Sequence, residues 1–238
     1  MTGLILAAGY ATRLYPLTEN FPKPLLEVGG RTILDRLIDD LAPVLSSFVV
    51  VTNHKFAGHF ERWAEGRDNI RVLDDGTSTN ETRLGAARDI LFVLEKEKLH
   101  GSIFVMAGDN VLDFSLQPFL AYAEGCGTSC VLCHEEHRLE ALRKTAVITV
   151  DEGGLITGYE EKPAEPKGHL AVPPFYFYRE EDWRRIPEAL SAGCSADAPG
   201  SFAAWLAGKT AMHAWQMPGH RYDIGDLPSY EDVKRRFA

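Results

Sequence analysis

Long apolar runs are missing from this chain: no stretch of its 238 residues nears the about 20 successive apolar positions of a transmembrane helix, so no membrane-spanning segment is expected. Basic excess is missing too. Twenty-five Lys and Arg stand against 34 Asp and Glu, a formal net charge of −9 that opposes nonspecific binding to nucleic acid or anionic membranes. Any anionic ligand must therefore meet a local basic cluster or a bound cation. Cysteine is scarce, with only Cys126, Cys130, Cys133 and Cys194, so a disulfide framework is not expected. Cys130 and Cys133 crowd near His134 and His137, but alternation along a strand would point the two thiols to opposite faces, which a tetrahedral zinc site does not favour. His54 and His59, five positions apart, lack the spacing of a helical metal pair. Met1-Thr2-Gly3 carries no basic leader, so a cytoplasmic location is expected. The first apolar run is not followed by G-x-G-x-x-G, which argues against a nicotinamide dinucleotide.

What is present is a rhythm. With 45% hydrophobic and 25% charged positions, the chain fits one sizeable domain, 1–238, with halves at about 1–125 and 126–238. Short apolar runs at Gly3 to Ala8, Phe48 to Thr52, Ile70 to Leu73 and Ile103 to Ala107 read as buried strands. Helical spacing lies between them, at Thr32 to Leu41, Lys55 to Glu65 and Arg83 to Leu94. This alternation predicts an α/β, doubly wound, mostly parallel Rossmann-like sheet. After about Val131 the rhythm changes: Ala146 to Val150 and Leu155 to Tyr159 flank Glu152-Gly153-Gly154, the pattern of a β-hairpin insertion. Leu170 to Tyr178 reads as one strand, Glu180 to Leu190 as one helix, Ala211 to Gln216 as a strand, and a helix closes the chain from Pro228.

The chemistry gathers near the start. Leu6-Ala7-Ala8-Gly9 ends a strand in small residues, so backbone amides there can approach a phosphate closely. Arg13 adds a planar fork for phosphate oxygens, and Lys23, between Pro22 and Pro24, adds a point charge on a stiffened backbone. Alone, Ala8-Gly9 is an ordinary strand-to-loop turn. Likewise, Asp109 alone is a turn or helix cap at the end of the fourth strand, and Lys162 alone is a surface lysine beside two carboxylates.

Together, LAAGYATRLYPLT and FPKPLLEVGG resemble the signature of the sugar-1-phosphate nucleotidyltransferases, the family of glucose-1-phosphate thymidylyl- and uridylyltransferases. The resemblance continues in Ala-Gly-Asp109-Asn, in Tyr159-Glu160-Glu161-Lys162-Pro163 and in Tyr222-Asp223-Ile224-Gly225-Asp226. It implies a nucleotidyltransferase (GT-A-like) fold and an Mg²⁺-dependent transfer of a nucleoside monophosphate from an NTP to a small phosphorylated acceptor. It assigns phosphate handling to Arg13, Lys23 and the backbone from Leu6 to Gly9, and Mg²⁺ ligation to Asp109 and Asp223. It further assigns base reading to Asn80 and Gly85, and acceptor binding to Glu161 and Lys162. Asp226 competes with Asp223 as a plain helix cap. No nucleic-acid or membrane partner is expected, and a monomer or homodimer fits.

Two departures bear on the substrates. Asn80 stands where thymidylyltransferases carry glutamine, leaving UTP, dTTP and CTP open. Ala171-Val172-Pro173-Pro174 replaces the usual Thr-Gly or Ser-Gly before an aromatic strand, removing backbone donors where the acceptor is expected. A third departure bears on regulation instead: the additional helical tail of well-known thymidylyltransferases is not expected after the closing motif, so feedback control there is not carried over. The alternatives are a cytidylyltransferase acting on a non-sugar phosphate or phosphonate, and a catalytically silent nucleotide-sugar-binding regulatory subunit.

Overall fold

The computed structural model describes residues 1–238 and is mixed α/β. Two compact units do not follow the chain's halves. One comprises 1–84, 106–117 and 219–238; the other comprises 85–105 and 118–218.

In the first unit, Thr2–Leu6 pairs in parallel with Ser47–Thr52, which pairs in parallel with Ile70–Asp74. These are three of the predicted apolar runs, and the first two are buried over most of their length, as parallel strands covered on both faces require. The helix Ile33–Leu41 buries Ile33, Leu34, Leu37, Ile38 and Leu41, the stripe read from the sequence. Thr32 caps it, its hydroxyl accepting the Asp35 N–H at 2.9 Å. Asn110–Leu112 and Arg221–Asp223 form a small antiparallel pair that the sequence pattern did not announce, with Asp223 opposite Asn110.

In the second unit the pairing is mostly antiparallel. Ala146–Val150 and Ile156–Glu161 form the expected hairpin, whose turn is held by the Asp151 carboxylate accepting the Gly153 and Leu155 N–H groups, both at 2.9 Å. Ser129–Glu135 pairs antiparallel with Leu170–Val172 and with Phe175–Tyr178, and in parallel with Met212–Gln216. The single strand expected over 170–178 is two strands. Pro173 and Pro174 have no N–H to donate, and the Phe175 N–H turns back to the Pro173 carbonyl at 2.7 Å. The helix expected over 180–190 is also two, Glu180–Trp183 and Ile186–Ser191, with Pro187 in the first turn of the latter, where its missing N–H costs no helical bond. Phe175, Tyr176, Phe177 and Tyr178 are all buried, with Phe175 stacked on Phe104 and Tyr178 edge-on to Phe202.

Candidate active site

The first unit holds the loop after Thr2–Leu6 by its backbone. The Ala7 N–H donates to the Val51 carbonyl at 2.9 Å, the fully buried Asn53 side chain donates to the Ala8 carbonyl at 2.9 Å, and the Gly108 N–H donates to the Leu6 carbonyl at 3.0 Å. Gly9 is exposed, and a Cβ there would meet nothing within 4 Å, so its bareness opens space instead of relieving a clash. Ala11 sits at φ 46, a left-handed conformation that a non-glycine residue adopts only under constraint. The constraint is visible: its carbonyl accepts the Thr18 hydroxyl at 2.8 Å and the Leu14 N–H at 3.0 Å. This kink starts the short helix Thr12–Leu14, which buries Leu14 and leaves Arg13 exposed. One pocket is lined by Leu6, Ala7, Gly9, Arg13, Lys23 and Asp109 among others.

Lys23 is the unusual residue. Its side chain is only 7% exposed, and a buried ammonium is tolerated only when its charge is answered. Its Nζ donates to Asp109 Oδ2 at 2.8 Å and lies 3.6 Å from Asp223 Oδ1. The other carboxylate oxygens are engaged as well. Asp109 Oδ1 accepts from the Asn110 side chain at 2.8 Å, and Asp223 Oδ2 lies 3.9 Å from Arg221 Nη1. Arg221 Nη1 also donates to Asn110 Oδ1 at 2.6 Å, which closes a ring of Lys23, Asp109, Asn110, Arg221 and Asp223.

A single apolar cluster carries this ring. Leu14, Leu26, Val111 and Ile224 belong to it, and they stand one to three positions from Arg13, Lys23, Asp109 and Asp223 respectively. Each functional side chain is thus the near neighbour of a core anchor. The Asp223 and Asp226 alternatives separate cleanly. Asp226 caps the helix Leu227–Arg236, accepting the Ser229 N–H at 2.9 Å, and those bonds hold its carboxyl below the usual range; Asp223 faces Lys23. Asp113 anchors the strand bearing Asp223: it accepts the His220 N–H at 2.6 Å and the Tyr222 hydroxyl at 3.2 Å. Burial pushes the Asp113 carboxyl up, but these bonds more than offset it and leave it low.

Sequence reasoning missed Asn110 and Arg221 as members of the site. Their only signal was adjacency to Asp109 and Asp223.

The two residues expected to read a base fall in different units. Asn80 is exposed, and its Oδ1 accepts from Arg83 Nη1 at 3.1 Å. Gly85 belongs to the second unit, at φ +88, where a Cβ would stand 2.6 Å from the Ala196 carbonyl oxygen. That packing requires glycine whatever else the residue does.

In the second unit, Glu161 ends its strand and Lys162 follows at φ 47, a second strained non-glycine residue, held by its N–H bond to the Thr145 carbonyl at 3.1 Å. The Glu161 Oε2, Tyr159 hydroxyl and Tyr178 hydroxyl are buried without a hydrogen-bond partner. Burial raises both phenols and the Glu161 carboxyl, the latter only partly countered by Lys162. Gly200 makes room for that carboxyl, since a Cβ there would overlap Oε2.

Comparison with known proteins adds the following. A family model described as nucleotidyl transferase matches residues 2–238. The UTP–glucose-1-phosphate uridylyltransferase AglF of Haloferax volcanii is 28% identical over 182 residues, covering 75% of this chain and 72% of that protein. The bifunctional protein GlmU of Methanococcus aeolicus is 29% identical over 173 residues, covering 71% of this chain but only 38% of its own length. A solved UDP-glucose pyrophosphorylase, complexed with UDP-glucose, superposes with a TM-score of 0.83 at 20% identity, covering 99% of this chain and 97% of that one, a likeness of fold.

Proposed function

Because the chain belongs to the nucleotidyl transferase family, we propose that it transfers a nucleoside monophosphate from an NTP to a sugar 1-phosphate, releasing pyrophosphate and forming an NDP-sugar. The observation that carries this reading is the convergence of Lys23, Asp109 and Asp223, the first two of which line a pocket together with Arg13 and the small-residue loop. An acceptor phosphate is already ionised at neutral pH, so the reaction requires no general base. It requires charge management and in-line alignment. Arg13 and the loop from Leu6 to Gly9 take the departing pyrophosphate, and Lys23 offsets charge at the α-phosphate. Lys162 takes the acceptor phosphate and Glu161 its body, while Asn80 contributes to reading the base.

The two carboxylates fit a hard divalent cation. Both are oxygen donors, both are partly exposed, and both lie within 4 Å of one point, the Lys23 Nζ. Asp109 and Asp223 would hold Mg²⁺, which when bound would supply positive charge and so lower the repulsion between two anions. A pyrimidine triphosphate and a cytoplasmic setting go with this reading.

A second reading keeps the chemistry and changes the acceptor: a cytidylyltransferase acting on a non-sugar phosphate or phosphonate. The break at Pro173-Pro174 favours it, because it leaves no backbone N–H at those two positions. Pyrophosphate release measured with UTP, dTTP, CTP, ATP and GTP against hexose 1-phosphates and small phosphoalcohols separates the two. Turnover with hexose 1-phosphates alone removes the second reading, turnover with phosphoalcohols alone removes the first, and no turnover with any pair removes both.

A further inference from the structure

Every oxygen of the two aspartates already faces a cation or an amide donor: Lys23 at 2.8 and 3.6 Å, Asn110 at 2.8 Å and Arg221 at 3.9 Å. Two carboxylates and two cations sum to zero. Resting on the function proposed above, we infer that Lys23, seconded by Arg221, is a built-in counterion that keeps free divalent cations out of this site, so that metal enters only with the triphosphate.

The exclusion is electrostatic. A bare divalent cation joining a neutral set of charges leaves an excess of two positive charges in a partly buried place, next to an ammonium whose side chain is only 7% exposed. A cation arriving with a triphosphate brings more negative charge than positive. Lys23 can then exchange its carboxylate partners for phosphate oxygens while the carboxylates turn to the metal. The location of Lys23 enforces the exchange. Pro22 and Pro24 flank it and the short helix Lys23–Leu25 is buried throughout, so its backbone is fixed and its ammonium is aimed at partners within the site. Arg221 is secured in turn by its 2.6 Å bond to Asn110, a residue only 1% exposed.

The test is Mn²⁺ binding without nucleotide, followed by paramagnetic resonance and by thermal melting, in the full chain and in Lys23→Gln and Arg221→Gln. Lys23→Gln is expected to bind free Mn²⁺ at least about tenfold more tightly than the wild type, since a unit charge about 4 Å away acts on a divalent ion with at least that effect even in high dielectric. Arg221→Gln, more distant from its carboxylate, is expected to show the same direction to a smaller extent, and it keeps the test open if Lys23→Gln does not fold. Mn²⁺ should raise the melting temperature of the variants more than that of the wild type. Adding UTP to the wild type should tighten its Mn²⁺ binding toward that of the variants. Equal affinity for free Mn²⁺ in wild type and both variants, whether tight or undetectable, overturns the inference. Its failure is distinct from that of the functional reading. Turnover on the substrate panel with equal Mn²⁺ affinities leaves the reading standing without the counterion, and no turnover with tighter Mn²⁺ binding in the variants leaves the counterion without the reading.

Discussion

Two regions, one in each unit, solve opposite electrostatic problems. Around Lys23 the charges are buried or half-buried but answered: Lys23 by two carboxylates, Asp109 by Lys23 and Asn110, Asp223 by Lys23 and Arg221. Around Glu161, its Oε2 and the Tyr159 and Tyr178 hydroxyls are buried with no hydrogen-bond partner. Unanswered buried polar atoms are uncommon and each costs about 1–3 kcal/mol. On the function proposed above, the contrast is between a site complete before its ligand arrives and one whose polar groups the acceptor satisfies. The first should respond to mutation through turnover and the second through acceptor affinity.

The sharpest test of the first half is Asp109→Ala. It removes a carboxylate from the Lys23 pair and one of two proposed metal ligands, so pyrophosphate release at saturating Mg²⁺ and substrates should fall about a thousandfold, at the upper end for loss of one preorganised electrostatic contact. Circular dichroism should show the fold retained. Turnover like the wild type's would remove Asp109 from the chemistry. Arg13→Ala should come next, with a loss in kcat of about a hundredfold and a melting temperature unchanged within about 2 °C, because Arg13 is exposed while the neighbouring Leu14 carries the packing. An unchanged kcat at saturation would make Arg13 a binding residue only.

The same contrast explains what could be read in advance. Parallel strands and the Ile33–Leu41 stripe were legible because they rest on local periodicity, and the loop residues were legible because glycine, arginine and lysine fall at a recognisable spacing. The pairing of Asn110–Leu112 with Arg221–Asp223 was not. Each segment has three residues, too few for a period, and they meet across more than a hundred positions. Arg221 therefore stayed outside the predicted site, though it stands beside Asp223 in the register that fixes the ring. The strand over 170–178 failed for a local reason that was in plain sight: two successive prolines cannot donate, and the ladder breaks there. Nothing in the sequence singled out Gly200, whose importance is only that it lies against Glu161.

Gly200 gives the clean probe of the second half. A Cβ at this position would overlap Glu161 Oε2 and stand 3.4 Å from the Ala146 Cβ, so the flexible carboxyl gives way while the packing on Ala146 is ordinary. Alanine also suits the first turn of the helix Pro199–Ala207 better than glycine does. Gly200→Ala is therefore expected to fold at least as well as the wild type and to raise the acceptor KM about tenfold, the loss of roughly one good hydrogen bond, with the KM for the triphosphate unmoved. A change confined to the triphosphate KM would break the division between the units.

The smallest effect separates answered from unanswered charge most directly. Burial raises the Glu161 carboxyl above 4.5, so the folded chain holds that proton more tightly than the unfolded chain does. The sign follows from linkage: the associated stability is fully present below about pH 4.5 and is lost as pH rises through the folded-state value. Glu161→Gln cannot ionise, so at pH 7 it escapes the cost of a partly desolvated carboxylate, and its melting temperature should exceed the wild type's by at most about 2 °C, a gain limited by residual solvent and by the nearby Lys162. Toward pH 4 the two curves should meet. Asp109→Asn should do the reverse at pH 7 and lower the melting temperature, because it takes a countercharge from a lysine whose side chain is only 7% exposed. If Glu161→Gln also destabilises at neutral pH, Glu161 has a partner in the folded chain, and the difference between the two units reduces to one of burial alone.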